Sequence, residues 1–164
     1  MESANMKENF YDVSDVVEAA VRIERGGTEM YLKLYESSTS HKARDVFNFL
    51  AAEEEKHAGV FRKLLESVAD YTPRYNYPGE YGQYLEGIAS RMTEAVKKST
   101  AALDAKNISE AVRVAMELEK ISIEFYTDVK KQFEGFGAET VQQIIDEEKG
   151  HLAKLEALGE DIKF

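Results

Sequence analysis

The chain's only two prolines, Pro73 and Pro78, lie close together near its middle. Proline lacks the N–H that a helix needs and collides with the preceding turn, so helix-breaking signals are confined to one place. On either side the apolar residues recur at helical spacing. Over 14–37 they are Val16, Val17, Ala20, Ile23, Gly27, Met30, Tyr31 and Leu34, with Asp12 or Ser14 as the cap and "SSTS" as the stop. A second helix from near His41 to about Asp70 carries Val46, Phe47, Leu50, Phe61, Leu64 and Val68 on one side.

After "DYTPRYNYPGEYGQY" the pattern weakens, and two short helical pieces are expected between Glu80 and Ala105. Asn107 followed by Glu110 resembles a capping box and opens a third long helix that ends at "EGFG". A fourth covers about 138–159. Helix pairs over 13–70 and 107–160, joined by a long crossover over 71–106, predict one all-α domain spanning 1–164. The expected fold is an antiparallel four-helix bundle with a single crossover between helices 2 and 3.

Composition narrows the function. A formal net charge of −10 argues against nucleic acid, since no basic stretch can release phosphate counterions, and against an anionic membrane surface. Such a field attracts cations, although acidity of this kind ordinarily serves solubility. The absence of cysteine excludes disulfides, iron–sulfur clusters, a rubredoxin-type Fe–Cys₄ centre and thiol catalysis in this chain. The N-terminal "MESANMKENFYDV" lacks the apolar run of a signal peptide, and no stretch of about 18 apolar residues occurs. A cytoplasmic protein is expected.

The two halves resemble each other. "IERGGTEMY" at 23–31 matches "LEKISIEFY" at 118–126, and "EEEKH" at 53–57 matches "EEKGH" at 147–151. The halves read as duplicated helix pairs related by a pseudo-two-fold axis. Glu24 and Glu119 fall on apolar stripes, where a carboxylate is costly unless something neutralises it. Glu54 with His57, and Glu148 with His151, stand three residues apart and project from one helix face. Glu53 and Glu55 point to other faces as solvated charge.

Acidic runs on a solvated face are the usual cause of such motifs. That reading does not account for the repeated Glu24 and Glu119 positions. Four carboxylates cannot all stay ionised in a low-dielectric core without a counter-charge. Two metal ions supply it, and oxygen-rich ligation with one nitrogen per metal suits iron or manganese.

These motifs, in this order, resemble those of the rubrerythrin-like branch of the ferritin-like di-iron carboxylate proteins, over about residues 10–160. The resemblance implies a ferritin-like bundle with two iron ions, or manganese or a mixed pair, on Glu24, Glu54, His57, Glu119, Glu148 and His151. It implies an oxidoreductase that reduces peroxide or dioxygen, and a possible homodimer. Ferroxidase activity in iron handling, or a helical interaction protein with a structural metal pair, are the alternatives. Rubrerythrins proper carry a further glutamate three residues after the third-helix ligand. Here that position is Ser122, so the iron movement tied to that glutamate does not carry over. Without cysteine the chain also lacks a rubredoxin domain, and its electrons must come from a separate donor such as a rubredoxin-type protein.

Other residues have quieter readings. Tyr31 and Tyr126 lie two turns beyond Glu24 and Glu119, placed to pack the core and to orient a ligand carboxylate. Gly26 and Gly27 are read as close helix packing, with room for a small oxidant as the sharper alternative. His41 is read as a surface residue at a helix start. The tyrosines from Tyr71 to Tyr84 are read as packing the crossover onto the bundle or forming a dimer contact.

Overall fold

The computed structural model describes residues 13–68, 79–104 and 106–162. Among these residues five helices follow in order: α1 (Val13–Ser37), α2 (His41–Val68), α3 (Gly79–Asp104), α4 (Ile108–Lys130) and α5 (Phe136–Asp161). α1 packs along α2, α4 along α5, and α3 lies against α4 and touches α1. Among the described residues no helix is long and apolar enough to cross a membrane.

Two apolar clusters fill the bundle, one toward each end. The first joins Val16 and Ala20 of α1, Phe61 of α2, Phe125 and Val129 of α4, and Val141 and Ile144 of α5. The second joins Leu34, Phe47, Leu50, Val114, Leu118 and Leu155. Early α1 meets late α2 and late α4 meets early α5, so both pairs run antiparallel, as short connections at 38–40 and 131–135 require. Between the clusters lies a layer of buried polar residues that includes Glu24, Glu54, His57, Glu119, Glu148 and His151. The apolar plugs close that layer off toward both ends of the bundle.

The crossover differs from expectation. In place of two short pieces, α3 is one helix of 26 residues. Its buried stripe is Ile88, Ala95, Ser99 and Ala102, at the spacing of one helix face. Alanine and serine carry little hydrophobic signal, so the stripe is regular in position and faint in sequence. Asp12 and the side chains of Tyr71 to Tyr84 lie outside the described residues, and Ser14 sits within the first turn of α1.

Asn107 caps α4: its side chain accepts from the Glu110 N–H at 3.1 Å. The reciprocal half of a capping box is not made, because the Asn107 N–H donates to the Ala102 carbonyl at 2.7 Å and Glu110 instead pairs with Arg113. Lys106, at φ 57°, takes the left-handed conformation that reverses the chain between α3 and α4. We predict that Asn107→Ala costs about 1 kcal/mol and lowers the thermal midpoint by about 2–4 °C, read by circular dichroism melting.

Candidate metal centre

All six polar residues singled out on the apolar stripes come together. Glu24 and Glu148 of α1 and α5, Glu54 and His57 of α2, Glu119 of α4 and His151 of α5 are each at most 4% exposed. One ligand atom from each of Glu54, His57, Glu148 and His151 falls in a group whose members lie within 4.8 Å of one another. The two imidazoles stack at 5.4 Å between centroids and 18° between planes.

The contacts cross between the halves. His57 Nδ1 lies 2.8 Å from Glu148 Oε1, and His151 Nδ1 lies 3.1 Å from Glu54 Oε1. The Tyr31 hydroxyl donates to Glu119, and the Tyr126 hydroxyl donates to Glu24. Both tyrosines therefore orient a carboxylate as the sequence suggested, but each serves the other half's glutamate. Burial first, then the adjacent carboxylates, push both hydroxyls well above the ordinary phenol range, so they remain protonated donors.

The polar layer is incompletely satisfied by its own members. Glu24 Oε2, Glu54 Oε1, Glu148 Oε2 and His151 Nδ1 are buried without a hydrogen-bond partner. The His151–Glu54 pair is close enough for an ionic contact yet misses hydrogen-bond alignment. Each such orphan costs on the order of 1–3 kcal/mol, and more when charged. Atoms that converge without pointing at one another are what a shared cation needs, and oxygen with imidazole nitrogen is a suitable donor set for iron or manganese. The residues fit a metal pair.

Protons balance this cluster where no cation does. Burial is the largest influence on Glu24, Glu54 and Glu119, and with neighbouring carboxylates adding to it their carboxyls sit well above the ordinary range. Burial opposes charge on Glu148 too, but contacts with Glu119, His151 and His57 hold its carboxylate below that range. Burial also pulls the imidazoles down. Their contacts with Glu148 first, then with Glu147 and Glu54 for His57 and with Glu54 for His151, outweigh it and push both imidazoles up to about 9.

Glu147 is a residue of the cluster that sequence reasoning missed. Its Oε2 lies 2.7 Å from His57 Nε2, so His57 is held by carboxylates on both ring nitrogens. The signal was available in "EEKGH", where Glu147 directly precedes the inward Glu148. Glu53, read as solvated, is half-buried and groups with His57 and Glu147, whereas Glu55 is exposed as expected. His41 is the exposed first residue of α2, away from the cluster. Ser122 is buried on α4.

Gly27 has a specific reason to lack a side chain. A Cβ there would sit 2.7 Å from Glu54 Oε2, so the close approach is to a cluster carboxylate and not to a neighbouring backbone. Gly26 makes no close approach among the described residues: none of them lies within 4 Å of a Cβ built on it, the helix's own backbone aside. Close packing of α1 against a side chain of α2 therefore explains Gly27, and it does not explain Gly26.

Fold and cluster together define a ferritin-like helical bundle of the di-metal carboxylate class. The chain belongs to the rubrerythrin family, whose profile matches residues 15–159. A crystal structure from Thermotoga maritima, assigned to the ferritin-like diiron-carboxylate proteins, is similar at 26% identity and a TM-score of 0.71, covering 94% of this chain and 98% of that one. A hypothetical protein from Pyrococcus furiosus shares the fold at 22% identity and a TM-score of 0.66, covering 92% of this chain and 89% of that one. No curated protein matches the chain.

Two outcomes follow from this geometry. Protein freed of metal by chelation should lose stability as pH rises from 6.5 to 9, because the folded form keeps imidazole protons that the unfolded chain has released. Metal displaces those protons, so loaded protein should show a weaker decline in melts across that window. Gly27→Ala should raise helix propensity by about 1 kcal/mol yet weaken metal binding, measured by competition with a chelating dye, because Glu54 must move.

Proposed function

We propose that Glu24, Glu54, His57, Glu119, Glu148 and His151 hold two metal ions, iron in the working protein, and that the protein reduces peroxide with electrons from an external donor protein. The observation that carries this reading is the set of buried, unpartnered donor atoms converging between two apolar plugs. Membership of the rubrerythrin family and likeness to a structure assigned as diiron-carboxylate support it.

A bound iron pair supplies Lewis acidity and electrons for reducing an O–O bond. The chain's own residues do the rest. Tyr31 and Tyr126 fix the orientation of Glu119 and Glu24 by donating to one oxygen of each, leaving the other oxygen for a metal. Glu147, accepting a hydrogen bond from the Nε2–H of His57, leaves Nδ1 as the ligating atom and holds the ring. The apolar clusters close the layer off toward both ends of the bundle, and the low dielectric they provide strengthens the charge interactions inside. The absence of cysteine, which rules out a thiolate iron relay within this chain, supports the reading of an external donor.

Glu54→Ala or Glu148→Ala should drop metal content after anaerobic iron addition from two per chain to one or none. Tyr31→Phe and Tyr126→Phe should each weaken metal affinity by roughly 10–100-fold. In stopped-flow mixing, the Fe(II) protein should oxidise at least tenfold faster with hydrogen peroxide than with dioxygen. Faster reaction with dioxygen and release of ferric iron would instead favour ferroxidase chemistry. Wild-type protein that takes up no iron at all would sink the proposal.

A further inference from the structure

A cavity of about 420 Å³ lies between α1, α3 and α4, beside the carboxylate cluster. Glu54, Glu119, Tyr31 and Ser122, all buried, line its inner part. Apolar side chains, among them Ile23, Met30, Ile88, Met92, Leu118 and Phe125, form much of the remaining wall. Exposed Arg22, Thr93, Val96 and Lys97 mark its rim.

The space is far larger than a peroxide or dioxygen molecule requires, since a water takes about 30 Å³ of liquid. Sites for organic ligands run from about 300 to 1,000 Å³, mostly apolar with a few convergent polar groups. Gly26 lines this cavity and has open space where its side chain would stand. Glycine weakens a helix interior, and the matching position in the second half is Ile121, which is buried in the core. The first half has thus kept a gap where the second is filled.

The charges select among organic guests. The buried ionisable groups lining the cavity are the acids Glu54 and Glu119 and the phenol of Tyr31. The lining cations, Arg22 and Lys97, are exposed, and Arg22 pairs with Glu18 at 3.1 Å. Among the described residues an anion would gain no buried cationic partner. An uncharged molecule with an apolar body and one oxygen-bearing end meets matching surfaces throughout.

We infer that the cavity binds such a molecule and that the substrate presented to the centre is an organic hydroperoxide. This deepens the peroxide-reducing reading above and rests on it. The reaction balances as ROOH plus two electrons and two protons giving ROH and water. The O–O bond breaks, the hydroperoxide is reduced, and a one-electron donor protein is oxidised twice.

The test separates binding from turnover. Isothermal titration of chelated protein with 2-phenyl-2-propanol, the alcohol left by cumene hydroperoxide, should show saturable binding of one molecule per chain. Gly26→Phe should weaken it at least tenfold while helix content and metal uptake stay at wild-type levels. Should Gly26→Phe lose helix content, Val96→Trp on the exposed rim carries the same expectation. In the loaded protein, the ratio of cumene hydroperoxide to hydrogen peroxide turnover should fall at least tenfold in the blocking variant. No saturable binding in wild type, or unchanged binding in a folded blocking variant, overturns the cavity assignment even where hydrogen peroxide is still reduced. Alcohol binding without turnover of either peroxide overturns the substrate assignment and, separately, the peroxide-reducing reading.

Discussion

Four carboxyl groups and two imidazoles packed between apolar plugs set the terms for the rest of this structure. Burying a leucine stabilises a fold whereas burying an unpaired carboxylate costs free energy, and a group of carboxylates repels itself. Hydrophobic burial in the two flanking clusters has to carry the fold, since the middle layer contributes cost until its charge is balanced. That explains why the polar residues sit where four helices converge and not near an end. Apolar contacts on both sides keep the helices close enough for opposing acids and bases to share protons or a cation.

Internal duplication gives the layer its form. Each half supplies one lone glutamate, one Glu-x-x-His pair and one tyrosine, and the contacts run from one half to the other: Tyr31 to Glu119, Tyr126 to Glu24, His57 to Glu148 and His151 to Glu54. A single helix pair would keep only longer contacts within it, such as His57 to Glu24 at 3.6 Å or His151 to Glu148 at 3.4 Å. The site therefore depends on the two halves docking in register, and the pairing in turn favours that register over a slipped one.

The six cluster residues were legible because each broke an apolar stripe at a repeated position. The helix pairs were legible because large apolar residues mark their faces. What escaped had a physical reason in each case. The stripe of α3 is written largely in Ala95, Ser99 and Ala102, whose small side chains bury without a hydropathy signal. Gly26 and Gly27 looked alike in sequence, yet one avoids the Glu54 carboxylate and the other borders open space, a distinction only the third dimension supplies. Glu147 was hidden by its neighbour: in an acidic run, which carboxylate reaches across to the facing helix depends on rotation about the axis.

Repetition stops outside the cluster, and that is where the halves acquire different properties. His57 has its outer nitrogen on Glu147, while His151 meets the ring of Phe49 edge-on, with Lys154 over that ring. A carboxylate behind an imidazole raises its basicity and fixes its orientation; an aromatic edge fixes orientation without adding charge. Lys56 lies 3.8 Å from Glu147, yet the residue matching Lys56 in the second half is Gly150, which has no side chain to offer. The cavity is likewise bounded by Gly26 on α1 and not by its counterpart on α4. Two positions built from the same inner residues thus sit in unequal surroundings, so a pair of ions held there would differ in affinity and in access even though their nearest partners match.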